Sequence, residues 1–147
     1  MRKNNPTRYS SAVGECWQHA SFKIKYCHKI FDIYEVRNAA KALFIKACKR
    51  YEIAWKSIGF DDNHVHSILD IQNYSRPEVA KMIKGYIAKK LFKLFPWLKR
   101  RYFWASGLWS PAYYMESVGR DMEFMQGYVM KQKYAVEGTA QLKLTSY

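Results

Sequence analysis

From residue 18 to 26 the chain alternates, with Ala20, Phe22, Ile24 and Tyr26 separated by His19, Ser21, Lys23 and Lys25. That period of two predicts a strand with one buried and one wet face. Over 35–49 the spacing changes: Val36, Ala39, Ala40, Leu43 and Ala47 share a stripe that excludes Arg37, Lys41 and Lys49, which predicts an amphipathic helix. Two short β-rich runs, YEIAWKSIGF and HVHSILDI, flank Asp61, Asp62 and Asn63, polar residues suited to a tight reversal, and together predict a hairpin. Ser75 and Glu78 have capping-box spacing around Pro77, so a helix begins there. Val79, Met82, Ile83, Tyr86, Ile87, Leu91 and Leu94 form its apolar stripe, and Pro96 ends it. LWSPAYYMESV predicts another strand, bulged near Pro111, and a closing helix follows Gly119 through RDMEFMQGYVMKQKY. The order strand, helix, strand, strand, helix, strand, helix predicts an α+β fold of the ferredoxin-like (RNA-recognition-like) kind, an antiparallel sheet with helices on one face and a further C-terminal helix.

No repeat, low-complexity tract or Pro/Gly-rich linker divides the chain, so the expectation is a single domain over 1–147 with a short N-terminal arm at about 1–15 and a tail at about 135–147. Charge narrows the partners. Lys and Arg number 25 against 12 Asp and Glu, a formal net charge of +13, which attracts polyanions, nucleic acid first and an anionic membrane second. No apolar run approaches the roughly 20 residues of a spanning helix, and MRKNNPTRYSSAVGE holds no signal-peptide core, which predicts a cytoplasmic protein. Cys16, Cys27 and Cys48 lack CxxC spacing and are expected to be free thiols. A zinc site from Cys16, His19, Cys27 and His28 matches no common finger spacing.

Between Val79 and Met115 there is no acidic residue, while Lys81, Lys84, Lys89, Lys90, Lys93, Lys99, Arg100 and Arg101 are all cationic. Such runs often serve only as a solubilising face. Here Phe95, Trp97, Tyr102, Phe103, Trp104 and Trp109 are interleaved with the charges, a pattern suited to backbone neutralisation with base stacking. Lys81, Lys84, Lys89, Lys93, Arg100 and Arg101 are the candidate DNA-binding residues, and Lys81, Lys84 and Lys89 are expected on the solvent face of their helix.

His64 and His66 are two apart at the start of the second hairpin arm, so their rings project from one face and can share a cation with much of its coordination sphere open. An exposed histidine pair with no role is the plain alternative. Tyr128 and Gln132 are spaced i and i+4 in the predicted closing helix. A free phenol, with a pKa of about 10, attacks a phosphodiester poorly unless a cation stabilises the developing charge. A glutamine carbonyl can supply a third ligand. Displacement of the sugar oxygen then leaves a phosphotyrosyl link, conserves the bond energy for rejoining and needs no ATP, in keeping with the lack of a Gly-rich phosphate loop. Tyr113, Tyr114 and Tyr134 are the other candidate nucleophiles, without a glutamine one turn on. Asp61, Asp62 and Asp70 do not form the carboxylate set that two-metal transposases use.

The apolar-flanked His-x-His after a hairpin turn, the segment LWSPAYYMESVG and the Tyr-x-x-x-Gln of the closing helix together resemble the single-tyrosine HUH transposases of the insertion-sequence 200/605 class, over nearly the whole chain. The resemblance implies a ferredoxin-like sheet, Mg2+ or Mn2+ on His64 and His66 with Gln132 as third ligand, and Tyr128 as a nucleophile that leaves a 5′-phosphotyrosine on single-stranded DNA. It further implies a homodimer with composite sites, in which the tyrosine helix of one copy serves the histidines of the other, and recognition of hairpins at the element's ends. Gly127, a poor helix former, and the polar first strand QHASFKIKY depart from the expected pattern. A non-catalytic ferredoxin-like module for single-stranded RNA or DNA is the alternative, against which stands the missing Gly-aromatic-Gly-aromatic motif. Relaxases and replication initiators share the histidines and tyrosine on longer chains.

Overall fold

The computed structural model describes residues 15–119 and 122–137. Along the chain come β1 (Trp17–Ile24), α1 (Tyr34–Arg50), β2 (Ala54–Phe60), β3 (His64–Asp70), α2 (Arg76–Leu94), the single turn α3 (Pro96–Leu98), β4 (Trp109–Ser117), α4 (Met122–Met130) and β5 (Tyr134–Glu137). Tight 3-10 turns occupy Lys25–Cys27 and Ile30–Asp32, and a wider π-helical turn occupies Lys99–Phe103. The strands form one sheet in the order β4-β1-β3-β2-β5, every pair antiparallel. Its first four strands have the expected ferredoxin-like arrangement.

The two faces of the sheet are covered differently. Ala20, Phe22 and Ile24 of β1 and Val65 and Leu69 of β3 join the main core with Val36, Leu43 and Phe44 of α1 and Val79, Ile83 and Ile87 of α2. Burying each of these large side chains contributes about 1.5–3 kcal/mol, so this layer dominates the stability. The predicted capping box is present: Ser75 Oγ accepts from the Glu78 N–H and Glu78 accepts from the Ser75 N–H, which fixes where α2 begins. The alternate residues of β1 and β3, His19, Ser21, His64, His66 and Ile68, therefore face away from α1 and α2. Against this second face lies α4, packed on β2 and β3, where buried Val129 and Ile68 stand apart from the main core cluster.

Several expectations need correction. The first strand stops at Ile24 rather than Tyr26, because Tyr26 and Cys27 both adopt positive φ and turn the chain, leaving Tyr26 exposed instead of buried. The closing helix ends at Met130 rather than continuing through Tyr134. Tyr134, expected at the end of that helix, and residues 135–137, expected in the tail, pair with β2 as a fifth strand. The remainder of the expected tail, and residues 1–14 of the expected arm, lie outside the described residues.

All three cysteines are free thiols, with Cys48 inside the core, where burial pushes its pKa up. Cys16 precedes β1 and Cys27 follows its far end, so the strand itself separates the would-be zinc ligands. Among the described residues no helix is long and apolar enough to cross a membrane.

Candidate active site

The β2–β3 hairpin presents the two predicted histidines. Asp61 N–H donates to His64 O at 2.9 Å and closes the reversal, and the period of two then puts His64 and His66 on one face with ring centroids 4.8 Å apart. Asn63 Oδ1 lies 2.8 Å from His64 Nδ1. Donation from Nδ1–H to that amide oxygen fixes the ring and leaves Nε2 as a free lone pair, the support that metal-binding imidazoles ordinarily have.

A third histidine joins them, which the sequence placed on a wet strand face. His19 is 4 % exposed on β1, with Nε2 2.9 Å from His66 Nδ1 and the two rings stacked 5.1 Å apart. Two tautomers satisfy this bond. If His19 Nε2–H donates, His66 carries its own proton on Nε2, the atom a cation would need. If His66 Nδ1–H donates, its Nε2 is free and His19 holds its proton on Nδ1, which is buried without a partner. A cation bound at His66 would select the second arrangement, in which His19 Nε2 accepts from His66 Nδ1–H.

Burial, then the neighbouring His64 and His19 imidazoles, lower the His66 pKa to about 4 against the opposing pull of Asp61. Burial also lowers that of His19, opposed by Glu116. An unfolded His66, at the ordinary 6.5, binds a proton that the folded one refuses between about pH 6.5 and pH 4. Stability of the cation-free protein should therefore decline as pH drops through that window and level off below it. Thermal melts of the wild type and His66→Asn check this: the variant's midpoint should fall less steeply, and identical slopes would remove the account.

Tyr128 reaches the same cluster from α4. Its ring, 43 % exposed, meets His66 edge-on at 5.4 Å and His19 at 5.6 Å. Gln132 lies past the helix end, in the turn to β5, but still one turn from Tyr128, with its Nε2 donating to Tyr128 O at 3.4 Å. Its Cβ and Cγ stand over Gly59, the residue that pairs with His66 in the β2–β3 register. Gly127 does not break α4, since Lys131 N–H still donates to its carbonyl. Thus a single chain brings His64, His66, Tyr128 and Gln132 to one patch of the sheet.

The other tyrosines are placed differently. Tyr114 touches His19 at 5.6 Å, but its hydroxyl donates to Glu116, and that bond raises its pKa and makes the phenolate harder to reach. Tyr134 hydrogen-bonds Asp32 at 3.3 Å under the Arg37 guanidinium. Tyr113 lines a groove between α2 and β4 with Lys81 and Lys84.

The predicted DNA-binding cations do not form one patch. Lys84 is not the solvent-face lysine expected: its Nζ donates to Ser110 O at 2.8 Å and Ala112 O at 3.4 Å, and burial lowers its pKa. Lys81 remains exposed beside it, while Lys89 and Lys93 stand exposed farther round α2, about 80° and 120° from Lys81 at 100° per residue. Arg100 and Arg101 are exposed on the turn after α3, and Arg101 lines a separate aromatic pocket. Of the interleaved aromatics, Phe103 and Trp109 are core, whereas Trp97 and Trp104 are exposed.

Comparison with known proteins agrees with this architecture. A protein-family model described as "Transposase IS200 like" matches residues 12–132. The ISDra2 transposase TnpA of Deinococcus radiodurans is 25 % identical over 116 residues, spanning 78 % of this chain and 81 % of that one. A 1.90 Å crystal structure of a Deinococcus radiodurans R1 protein assigned as a transposase superposes with a TM-score of 0.69 at 23 % identity, over 86 % of this chain and 97 % of the other. A REP-associated tyrosine transposase, solved bound to a REP hairpin, gives 0.56 at 12 % identity, over 84 % and 70 %. With the family model covering most of its length, the chain belongs to the IS200-like transposase family.

Proposed function

We propose that this transposase cuts and rejoins single-stranded DNA at hairpin-bearing ends through a covalent link to Tyr128, assisted by Mg2+ or Mn2+ held by His64, His66 and Gln132. The observation that carries the reading is the meeting of Tyr128 with His66 at 5.4 Å on the face of the sheet that α4 covers. Among the described residues no three His, Cys, Asp or Glu side chains are placed to hold a metal together; Gln132, which stands over Gly59 next to His66 in the sheet register, is the third ligand in this reading. The fit rests on His64, whose Nδ1 is already engaged and whose Nε2 is left free. When bound, the cation would withdraw charge from the phosphate under attack.

Tyr128 Oη forms a bond to phosphorus as it gives up its proton, and the bond from phosphorus to the 3′ oxygen breaks as that oxygen takes one up. The products are a 5′-phosphotyrosine and a free 3′ hydroxyl, and the reverse step rejoins a strand. Two imidazoles with one amide oxygen form a donor set softer than Mg2+ prefers, so Mn2+ should support the reaction at lower concentration.

The reading extends to a homodimer with shared sites. Within this chain α4 packs on the β2 and β3 face, and in the shared-site form the same docking would come from the other copy's helix. The hairpin held by the REP-associated relative and the net charge of +13 support a hairpin substrate.

The test incubates the protein with a labelled single strand carrying an end hairpin, with Mg2+, Mn2+ or chelator, and looks for a denaturation-resistant adduct. Adduct is expected with either cation and lost with chelator or in His64→Ala; adduct that survives both would exclude the metal role. Mixing Tyr128→Phe with His64→Ala chains should restore activity if the sites are composite, and would leave it dead if each chain serves itself.

A further inference from the structure

A second site opens at the far end of β1. The turn after the strand and the turn after α3 border an open pocket of about 610 Å³, lined by Tyr26, His28, Arg101, Tyr102 and Trp104 among others, none of them acidic. Trp104 is 79 % exposed and Tyr26 63 % exposed, which is unusual for rings that size. Arg101 lies 5.5 Å over Tyr102, and Lys25 lies 5.6 Å over Tyr26. The pocket shares an end of the sheet with the histidines, since Lys23 pairs with His64 and Ile24 N–H donates to Asn63 O.

The backbone here is held in conformations that side chains resist. Ser106 N–H donates to Phe103 O at 2.8 Å, and Trp104, at φ 53 and ψ −120, occupies the first central position of that type II′ turn, where glycine is the usual residue. Tyr26, at φ 62 and ψ 15, is followed by Cys27 at φ 57. A tryptophan at a glycine position that buries little of its ring costs stability with no packing to offset it. The strain makes sense if the exposed ring has a ligand.

We propose that this pocket takes an unpaired base of the DNA strand, stacked on the Trp104 and Tyr26 rings, with Arg101 and Lys25 toward its phosphates. The inference rests on the single-strand DNA reading of the active site and adds a second place where the strand is held. Flat faces flanked by cations suit any base, so the contact contributes affinity and selection for unpaired strand rather than sequence. Paired bases inside a duplex cannot enter.

The experiment compares wild type, Trp104→Gly, Trp104→Phe and Tyr26→Asn for binding of a fluorescent single-stranded oligonucleotide and of the same strand fully annealed, with a thermal melt of each protein. Trp104→Gly should bind the single strand about tenfold more weakly, in the range expected of one base–aromatic stack. It should melt no lower than wild type, since glycine relieves the turn. Trp104→Phe should keep most of the affinity, and Tyr26→Asn, whose new residue tolerates positive φ, should lose affinity while folding normally. Single-strand affinity within twofold of wild type for Trp104→Gly and Tyr26→Asn, or an equal loss on duplex, overturns the base site. So does a markedly lower melting point for Trp104→Gly, which would make the ring structural. If wild type forms the Tyr128 adduct while these variants bind normally, only the base site falls; if wild type neither binds nor links to single strand, both readings fall.

Discussion

Tyr128→Phe should reduce covalent capture and cleavage of a hairpin-bearing single strand to background, a loss of at least about a thousandfold, while leaving DNA affinity within a few-fold of wild type. The phenylalanine ring keeps the edge contacts with His66 and His19 that seat this part of α4, so the fold is retained and only the proposed attacking oxygen is removed. Tyr114→Phe is the matched control. Its hydroxyl is committed to Glu116, with its pKa raised, and its loss should change the rate little. Gel separation of the denatured adduct reads both variants. An undiminished adduct in Tyr128→Phe would transfer the nucleophile elsewhere, and a missing adduct in Tyr114→Phe alone would name its replacement.

Gly59→Ala should cost about a hundredfold in cleavage, although Gly59 has no side chain to contribute. A Cβ there would lie 2.3 Å from Val129 O and 2.8 Å from Gln132 Cβ. Ordinary contact begins near 3.4 Å, so the end of α4 must lift by about 1 Å or more. That displacement carries Tyr128 and Gln132 away from histidines fixed on β3, and misplacement of this size costs about a hundredfold in rate. The substitution by itself favours a strand, by roughly 0.5–1 kcal/mol, and the opposite face of β2, with Ile58 and Phe60 in the main core, is untouched. The melting point should therefore stay close to wild type while cleavage collapses, and Gly59→Val should show a larger loss of the same kind. Wild-type cleavage by Gly59→Ala would mean that α4 does not dock on this strand during the reaction.

Gly59 also marks where sequence reading fell short. A glycine inside a strand pattern is a known sign of close backbone approach, and it was available at YEIAWKSIGF, but the sequence did not say which segment approaches. The same holds for His19, whose partner is 47 residues away: alternation put it on the face opposite Phe22, and nothing local distinguished a solvated face from one roofed by another helix. Lys84 lay off the apolar stripe and was assigned to solvent, yet its Nζ reaches the Ser110 and Ala112 carbonyls of β4. Trp104 passed as one more aromatic in a basic run because its significance lies in a φ value.

What the residues by themselves determined was local or periodic: where α2 starts, because Ser75 and Glu78 cap it; where the hairpin turns, because Asp61, Asp62 and Asn63 suit a reversal; and that His64 and His66 share a face, because strands repeat every two residues. These depend on interactions across a few bonds, and the order of the elements was enough to place four strands correctly. The tertiary structure decided the rest: the docking of α4 on the bare face, the pairing of Tyr134–Glu137 with β2, and the bond from His19 to His66. Each depends on sheet order and register, which bring together side chains far apart along the chain, and no short-range pattern encodes which of them will meet.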